Sequence, residues 1–376
     1  MIKIGLELTP AIEQRTGIGN ISFLIAKNIL DYFDEENFKF KFIYNFIKNK
    51  DRQKYLIYTK KNKNYVIRLP KRIYYNLYKF KIPINYFVGS LDILHITGLT
   101  NILSNKKTKV ISTIHDIAFK IFSDFYDDKK VKELDQRIKF LKAQSDLIIT
   151  SSYSTKYDLI KFYNIPENKI KVIYFSINEN FKKEKKEEEI NIFKRKNELP
   201  AKYFLFVGSY DKRKNLKNII KAFNEFKKYD KKNYYLIIIG KSNLKIQNEI
   251  GVNKNVIFAD YVEDKDLPYY YYFADALLYC SYYEGFGLPI LEAFASNIPV
   301  LTTFNSSMKE LGGESGIYIK DPDNVEEIKD KLIYLSKLKE EERVKIIESG
   351  KERLKKFDIE ECIKKIKECY FELLNK

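Results

Sequence analysis

The sequence contains no tryptophan and only two histidines, three cysteines and two methionines among its 376 residues. Two histidines leave almost no material for a histidine metal site, and the cysteines show neither a paired framework nor the spacing of a zinc site. We therefore expect no metal, and we expect Cys280, Cys362 and Cys369 to pack as small apolar residues. No apolar run reaches about 18 residues, so no transmembrane helix is predicted.

The first residues, Met-Ile-Lys-Ile-Gly-Leu-Glu-Leu, carry charge inside an apolar stretch, which is not the pattern of a secretion signal. Hydrophobic residues make up 45% of the chain and charged residues 32%, a balance typical of a globular protein. With 27 phenylalanines and 30 tyrosines, the chain cannot stay extended in water. The length predicts two domains, and we expect a cytoplasmic protein.

Acidic residues are scarce in the first half. Residues 1–175 contain 31 basic and 17 acidic residues, whereas 176–376 contain 37 and 34. Residues 39–81 include 14 basic residues and a single acidic residue, Asp51. This excess suggests an anionic partner, which could be nucleic acid, a phosphate-bearing substrate or an anionic membrane. A lysine-rich, solvated face is the alternative.

Short apolar runs alternate with amphipathic segments, which predicts an α/β protein with mostly parallel sheets. A charged stretch at 176–200 predicts a linker with a short exposed helix between domains at 1–175 and 201–356. The tail Ile359–Leu374 has apolar residues at helical spacing, so one face of that helix must be buried. The predicted strands lie near Ile2–Glu7, Lys39–Tyr44, Ile93–Ile96, Lys109–Ile114, Leu147–Thr150, Lys171–Ile173, Tyr203–Val207, Tyr235–Ile239, Val256–Phe258, Ala276–Tyr279, Pro299–Thr302 and Gly316–Ile319.

The most informative segment is Ser281-Tyr-Tyr-Glu-Gly-Phe-Gly-Leu-Pro-Ile-Leu-Glu-Ala-Phe-Ala. Its glycines follow a predicted strand, so backbone N–H groups can approach a ligand closely, and the start of the next helix favours negative charge. Glu284 lies in the loop and Glu292 lies one to two turns into the helix, where its carboxylate can accept from hydroxyls. A diphosphate with two polyhydroxyl groups fits this arrangement. A glycine-punctuated turn with a surface glutamate is the alternative.

The stretch Glu284-Gly-Phe-Gly-Leu-Pro-Ile-Leu-Glu292 resembles the Glu-x7-Glu motif of retaining glycosyltransferases with the GT-B fold, specifically family 4 (glycosyl transferases group 1). Four further stretches resemble family positions, and together they cover roughly residues 1–355. These are Arg15-Thr-Gly-Ile-Gly-Asn-Ile, Thr113-Ile-His-Asp-Ile-Ala-Phe, Phe204-Leu-Phe-Val-Gly-Ser-Tyr-Asp-Lys-Arg-Lys-Asn-Leu and Asp260-Tyr-Val-Glu-Asp-Lys-Asp-Leu-Pro-Tyr-Tyr-Tyr-Tyr-Phe-Ala-Asp-Ala.

The resemblance implies two Rossmann-like domains facing across a cleft, with a C-terminal helix at about 357–376 returning to the N-terminal domain. It implies that His115 and Glu284 face the transferred sugar as catalytic residues, that Glu292 accepts from the ribose, and that Arg213 and Lys214 grip the donor diphosphate. Where some members carry an arginine, this chain has Ser209, so phosphate neutralisation rests on the basic pair. The expected donor-binding residues are Gly17, Gly19, Ser209, Arg213, Lys214, Val262, Gly285, Phe286, Gly287, Leu288 and Glu292.

Four residues in the N-terminal half need their own interpretation. Gly17 and Gly19 do not form a dinucleotide fingerprint, because Ser22 occupies the place of the third glycine. A looser glycine loop near a donor phosphate fits better, and an ordinary flexible loop is the alternative. We expect His95 to be a structural histidine. Asp116 either orients the ring of His115 or caps the next segment.

The resemblance predicts a retaining, metal-independent hexosyltransferase that needs no cofactor. GDP-mannose is the first expectation for the nucleotide-sugar donor, with UDP-sugars open, and the acceptor is a glycolipid, a lipid-linked oligosaccharide or a polysaccharide precursor. The basic block at 39–81 predicts peripheral attachment to the anionic inner face of a membrane, with no nucleic-acid partner. The alternatives are a GT-B-fold sugar-nucleotide epimerase, a non-catalytic sugar-binding relative and a basic nucleic-acid-binding protein.

Overall fold

The chain folds into two compact α/β units. The computed structural model describes residues 1–13, 17–34, 36–47, 56–240 and 253–375. One unit consists of Met1–Ser176 together with Asp358–Lys376, and the other of Ile177–Phe357. Each unit is built around its own parallel sheet.

In the first unit, the described strands form one sheet in the order β3-β2-β1-β4-β5-β6-β7, and every neighbouring pair is parallel. The inner strands β4 and β6 are buried along their whole length, as expected for a parallel sheet covered on both faces. The strands are β1 (Ile2–Glu7), β2 (Phe38–Asn45), β3 (Asn62–Ile67), β4 (Ile93–Ile96), β5 (Lys109–Ile114), β6 (Leu147–Thr150) and β7 (Ile170–Val172).

Strand β3 is the element of this sheet that the sequence did not predict. Its residues, Asn62 to Ile67, include two asparagines and a lysine, which are uncommon in strands. The strand lies at the edge of the sheet beside β2, where polar side chains reach solvent and discourage pairing with another chain. Part of the basic block at 39–81 is therefore sheet, and residues 48–55 of that block lie outside the described residues.

Helices follow the strands of the first unit. They are α1 (Thr9–Glu13), α2 (Ile18–Ile29), α3 (Lys71–Tyr74), α4 (Asn85–Val88), α5 (Ala118–Ile121), α6 (Asp128–Gln144) and α7 (Tyr153–Tyr163).

The C-terminal helix Ile359–Leu374 belongs to the first unit. The Tyr370 hydroxyl lies 2.8 Å from Nδ1 of His95, and Lys367 Nζ donates to the carbonyl of Tyr32 at 2.7 Å. The apolar stripe expected on this helix is buried, and its members are Cys362, Ile363, Ile366, Cys369, Tyr370 and Leu373.

The second unit repeats the plan. Its described strands form a parallel sheet in the order β10-β9-β8-β11-β12-β13. The strands are β8 (Tyr203–Val207), β9 (Tyr235–Ile239), β10 (Val256–Phe258), β11 (Ala276–Tyr279), β12 (Val300–Thr303) and β13 (Ile317–Ile319). The helices are α8 (Glu187–Lys196), α9 (Leu216–Lys227), α10 (Leu267–Phe273), α11 (Leu288–Ala295), α12 (Ser306–Gly312), α13 (Val325–Ser336) and α14 (Glu340–Leu354), and we label the C-terminal helix Ile359–Leu374 as α15.

We expected residues 176–200 to be a linker with a short exposed helix, but 177–200 fold as part of the second unit. Phe193 of α8 stacks on Tyr269 with ring centroids 4.7 Å apart, and Phe181 packs edge-on against Tyr271 at 5.3 Å. The charged composition misled the prediction because these few apolar side chains are enough to dock the segment.

In both sheets the strand order reverses, between β1 and β4 in the first unit and between β8 and β11 in the second. In open α/β sheets, ligands bind outside the carboxyl ends of the strands at such switch points. These two places therefore contain the candidate sites.

Candidate functional site

An ion cluster of Arg213, Lys214 and Glu284 lies at the switch point of the second sheet. Arg213 Nη1 lies 2.6 Å from Glu284 Oε2, and Lys214 Nζ lies 2.6 Å from Glu284 Oε1. Lys214 also donates to the Tyr279 hydroxyl at 2.8 Å, and Arg213 donates to the carbonyl of Tyr283 at 2.7 Å. The side chains of the three ions are only 7–12% exposed. The structure thus brings Glu284 to two adjacent cations that lie 70 and 71 positions earlier in the sequence.

Local backbone geometry presents the two cations. A short 3-10 turn, Lys212–Lys214, follows β8, and the Asp211 side chain caps it by accepting from the N–H of Arg213. Asn215 then adopts φ 58° and starts α9, while its side-chain amide donates to the carbonyls of Cys280 and Pro322. This asparagine ties the basic turn to the end of β11.

The loop that carries Glu284 is held by two serines of α12. Ser306 Oγ accepts from the N–H of Glu284, and the single O–H of Ser307 lies between the carbonyl oxygens of Glu284 and Phe286, with Oγ 2.8 Å and 2.6 Å from them. Gly287 has φ 109°, a value that favours glycine, and α11 begins at the next residue, Leu288. The first-turn amides of a helix have no partner within it, so they are available to an anion.

The cations fix the charge of Glu284. Burial alone would raise the pKa of this carboxyl, but Arg213 and Lys214 outweigh it and lower the pKa to about 2. Burial also lowers the pKa of Lys214, and Glu284 opposes that shift. Glu284 was expected to accept from sugar hydroxyls, yet both of its oxygens already accept from the cluster's cations.

Glu292 lies in α11 and is buried without a cation bound to it. Its Oε2 accepts from the Tyr271 hydroxyl at 2.8 Å. Burial raises the pKa of Glu292 to about 7, and the negative charge of Asp264 adds to this, whereas Tyr271 and Lys214 oppose it. The carboxyl of Glu292 therefore keeps a proton to higher pH than an exposed glutamate does.

Ser209 and Val262 occupy loops that follow strands of the same sheet. Ser209 is exposed after β8, and Val262 is half-buried after β10. The loop of Val262 also carries Asp264, whose charge acts on Glu292. Gly285, Phe286 and Gly287 are buried in the loop after β11.

His115 follows β5 in the first unit and is 5% exposed. Its Nε2 donates to the carbonyl of Thr97 at 3.0 Å, and its ring lies 5.7 Å from that of Phe175. Burial lowers the pKa of His115, so the ring is neutral and Nδ1 is an acceptor. Nδ1 has no hydrogen-bond partner among the described residues. Asp116 caps the next segment by accepting from the N–H of Ala118.

His95 is structural, as predicted. Its Nδ1 lies 2.8 Å from the Tyr370 hydroxyl and its Nε2 lies 2.8 Å from the Thr113 hydroxyl. Burial lowers its pKa to about 3, so the ring is neutral. The three cysteines are buried and free, which confirms their prediction as packing residues.

Gly17 and Gly19 lie at the start of α2, where Gly17 has φ 36° and Gly19 is buried. The preceding Arg15 and Thr16 of that motif lie outside the described residues.

Sequence reasoning missed Glu7, the last residue of β1 at the switch point of the first sheet. Its carboxylate accepts from the N–H of Thr9 at 3.1 Å, from the Thr100 hydroxyl at 3.1 Å and from the Tyr74 hydroxyl at 3.2 Å. Glu7 is fully buried, and desolvation raises its pKa to about 7. The sequence signal that could have indicated Glu7 is its position as a charged residue at the end of an apolar strand.

Across the described part of the chain, no group of three or more His, Cys, Asp or Glu side chains is arranged to hold a metal ion.

Two family profiles match the chain. Residues 187–353 match "Glycosyl transferases group 1", and residues 26–181 match "Glycosyltransferase Family 4".

Among curated relatives, the O-antigen chain mannosyltransferase B of Escherichia coli is 26% identical over 232 residues, which are 60% of this chain and 61% of the relative. The O-antigen chain mannosyltransferase RfbU of Salmonella typhimurium is 31% identical over 219 residues, 56% of each protein. The chain thus spans about three fifths of the length of these relatives.

Solved structures share the fold. Anabaena Alr3699/HepE, in complex with UDP and glucose, superposes with a TM-score of 0.73 at 14% identity and covers 99% of this chain and 100% of that one. WaaG, a glycosyltransferase involved in lipopolysaccharide biosynthesis, gives 0.72 at 16% identity, with 97% and 98% covered. With two parallel-sheet Rossmann-like units and both halves matched, this chain belongs to the group 1 and family 4 glycosyltransferases of the GT-B fold.

Proposed function

We propose that the protein transfers a hexose, in the first instance mannose, from a nucleotide-sugar to a glycan or lipid-linked precursor of a polysaccharide. The observation that carries this proposal is the ion cluster at the β8/β11 switch point with Glu292 beside it. The mannosyltransferase relatives support the sugar.

In this proposal, the donor diphosphate binds beside Arg213 and Lys214. Two cations against the single carboxylate of Glu284 leave one net positive charge in a buried place, and the first-turn amides of α11 add donors. Positive groups fixed before the reaction stabilise the charge that develops on the departing diphosphate. They do so without the reorganisation that water would need.

The ionised, cation-bound state of the Glu284 carboxylate bears on the stereochemistry of the proposed sugar transfer. A carboxylate with a pKa of about 2, with both oxygens held by cations, is a poor nucleophile and a poor base. This argues against a double displacement through Glu284. We therefore propose same-face attack by the acceptor hydroxyl, whose proton passes to the leaving phosphate, with retention of configuration. Glu284 then holds the cations in place, and Glu292 accepts from the ribose.

His115 is our proposed sugar contact in the first unit. Its unpartnered Nδ1 can accept one hydrogen bond from a sugar hydroxyl, since Nε2 donates to Thr97. A His115→Ala change is expected to lower turnover more than donor affinity.

The test is a panel of GDP-mannose, UDP-glucose and UDP-N-acetylhexosamines, with nucleotide release measured with and without a glycan acceptor. We expect release from one donor to depend on the acceptor, and NMR of the product to show the donor's anomeric configuration. Lys214→Ala is expected to lower kcat at least about a hundredfold, whereas Lys212→Ala, an exposed neighbour in the same turn, keeps the rate. Acceptor-independent conversion of the donor sugar would indicate an epimerase and contradict the proposal.

We also propose that the first unit docks reversibly on the anionic inner face of a membrane. None of the described helices is long and apolar enough to cross a membrane. Within 71–88, however, Ile73, Phe80 and Tyr86 are 45%, 68% and 81% exposed, and Arg72 and Lys79 are exposed next to them. Apolar tips flanked by cations are the composition of an interfacial segment, and each cation near such a surface contributes about 1 kcal/mol.

Co-sedimentation with vesicles of phosphatidylcholine, with and without phosphatidylglycerol, tests the docking. Binding is expected only to the anionic vesicles, and it should disappear at about 1 M salt because screening then acts within about 3 Å. Phe80→Glu should weaken it, whereas Phe304→Glu, an exposed phenylalanine of the second unit, should not. Equal, negligible binding to both vesicles would contradict the docking.

A further inference from the structure

A basic cavity of about 670 Å³ lies in the first unit, between the segment that follows β3 and helix α6. Five of its lining residues are cations and one is an acid, so its net charge is strongly positive. The charged residues are Arg72, Lys79, Lys129, Lys132, Arg137 and Glu133. Tyr75, Tyr78 and Asn101 contribute aromatic and amide groups to the same wall.

Most of the cations in the basic cavity have no acidic partner. Arg137 pairs with Glu133 at 2.5 Å, but among the described residues Arg72, Lys79, Lys129 and Lys132 form no ion pair. Like charges that converge on one concave space repel one another, and a bound anion removes that repulsion. The occupant that the charge favours is therefore anionic.

Helix α6 adds to the same preference. Lys129 and Lys132 lie at its beginning, where the helix dipole is positive and cations are unfavourable. The Asp127 side chain already accepts from the first N–H groups of the helix, those of Lys129 and Lys130, so a bound anion would interact with the lysine side chains rather than with the helix amides. The position that is unfavourable for the free protein is thus favourable for a complex.

Asn101 is a second, independent feature of the basic cavity. It is 5% exposed, and its Oδ1 is buried with no hydrogen-bond partner among the described residues. A buried acceptor without a donor costs about 1–3 kcal/mol, so a ligand hydroxyl or amide that donates to it is favoured. An occupant with both an anionic group and hydroxyls satisfies the lysines and Asn101 together.

The wall beneath these groups is rigid. Arg137 donates to the carbonyl of Leu99 at 2.8 Å and lies over the Tyr75 ring at 4.7 Å from its centroid. The Glu7 carboxylate joins Tyr74 and Thr100, the residues next to Tyr75 and Asn101. The buried network at the β1/β4 switch point therefore fixes both sides of the basic cavity.

We propose that the basic cavity binds a phosphorylated sugar: its phosphate or diphosphate contacts Lys129, Lys132 and Arg72, and a sugar hydroxyl donates to Asn101. This inference rests on the proposed function, in which the phosphorylated sugar is the acceptor. It adds the chemical class of that acceptor. The phosphate can belong to a lipid-linked sugar or to a free sugar phosphate, because both present the same chemistry to the cavity.

The first test is calorimetric titration of the full chain with inorganic pyrophosphate in the presence of saturating GDP, which fills the donor site. We expect binding that weakens at least about tenfold in a Lys129→Gln, Lys132→Gln double variant, since each cation about 4 Å from the anion contributes about 1 kcal/mol even in water. A Lys106→Gln, Lys107→Gln double variant removes the same charge from two exposed lysines outside the basic cavity and should bind as the wild type.

The second test uses α-mannose 1-phosphate as the probe. Asn101→Leu is expected to weaken this ligand at least about fivefold and to leave pyrophosphate affinity unchanged, because only the sugar has a hydroxyl to donate. Circular dichroism and thermal unfolding of each variant exclude a folding defect as the cause of a loss.

The outcomes separate the two proposals. If GDP and the nucleotide-sugars do not bind, the proposed function fails. If GDP binds but pyrophosphate binding is equal in the wild type and the Lys129, Lys132 variant, the basic cavity is not the phosphate site and this inference fails. The source of the phosphate follows from two affinities. If the protein binds phosphatidylcholine vesicles that carry a polyprenyl diphosphate sugar more tightly than it binds mannose 1-phosphate, the ligand is a lipid-linked sugar. If the order is reversed, the ligand is a free sugar phosphate.

Discussion

The two switch points carry buried glutamates in opposite electrostatic states. In the first sheet, Glu7 meets hydroxyl and amide donors and no cation among the described residues, and its pKa rises to about 7. In the second sheet, Glu284 is equally buried but meets Arg213 and Lys214, and its pKa falls to about 2. Burial disfavours the ionised carboxylate in both places, so the presence of cations decides whether the carboxyl group remains ionised.

The cations of the two units also differ in whether they have an acidic partner. Arg213 and Lys214, whose side chains are 12% exposed, are paired with Glu284, whereas the exposed lysines of the basic cavity have no ion pair among the described residues. Water can solvate an exposed ammonium but not a buried one, so pairing is obligatory only inside. Unpaired cations at the surface remain available to a ligand.

The largest effect is expected from breaking the ion cluster. Glu284→Gln leaves two largely desolvated cations, each 12% exposed, without a carboxylate, and the free energy of unfolding at pH 7 should fall by about 3–5 kcal/mol. Urea unfolding measures it. The matched control is Glu352→Gln, which breaks an exposed pair with Lys355, both 70% exposed, and should cost at most about 1 kcal/mol. Equal losses in the two variants would show that the ion cluster contributes no more than a surface pair.

The pH dependence of Glu7 sharpens the comparison. Because its folded pKa is raised from 4.5 to about 7, the native state keeps a proton that the unfolded state loses, and this group's contribution to stability falls as pH rises from about 4.5 to about 7. Glu7→Gln should therefore be more stable than the wild type by about 3 kcal/mol at pH 8.5 and similar at pH 4.5. Glu284 has the opposite sign: its contribution is present above pH 4.5 and is lost as pH falls toward about 2.

Urea unfolding at both pH values checks the Glu7 prediction. Glu167→Gln, at an exposed glutamate of the same unit, is the control and should show the same difference from wild type at both pH values. A Glu7 variant that parallels the wild type across this range would show that the carboxyl is ionised in the native state.

Tyr271 tests the third buried glutamate, Glu292. Tyr271→Phe removes the hydroxyl that donates to the carboxylate at 2.8 Å, which should raise the pKa of Glu292 further and lower the free energy of unfolding by about 1–3 kcal/mol. The neighbouring Tyr272→Phe, at a side chain 50% exposed, should change it by less than about 0.5 kcal/mol. Thermal and urea unfolding measure the stability of both variants. Equal stability of Tyr271→Phe and Tyr272→Phe would contradict the role of this hydrogen bond.

The smallest effect is a stabilisation. The Lys129→Gln, Lys132→Gln variant removes cations from the positive end of α6, so its free energy of unfolding should rise by about 0.3–1 kcal/mol in the absence of ligand. The Lys106→Gln, Lys107→Gln variant has no such helix end and should not gain. Urea unfolding at low ionic strength compares them, and a loss of stability in the first variant would contradict the dipole argument.

Much of the architecture could be predicted from the sequence. The strands other than β3 were predicted within one or two residues, because fully buried parallel strands are continuous apolar runs. The loop at Glu284 and the helix carrying Glu292 followed from the glycines and the motif. The edge strand β3 was missed because its polar composition hides its one buried side chain, Ile67. The short exposed helix expected in the charged stretch is α8.

The sequence by itself determined the alternation of strands and helices, the buried stripe of α15 and the Glu284–Glu292 motif that resembles the family's. The tertiary structure decided that Arg213 and Lys214 pair with Glu284, that Glu7 sits without a cation, and that exposed lysines from two segments converge on one cavity. Local pattern encodes which face of a segment is apolar. The charge state of a side chain depends on neighbours that the fold brings from distant positions, and no local pattern encodes those.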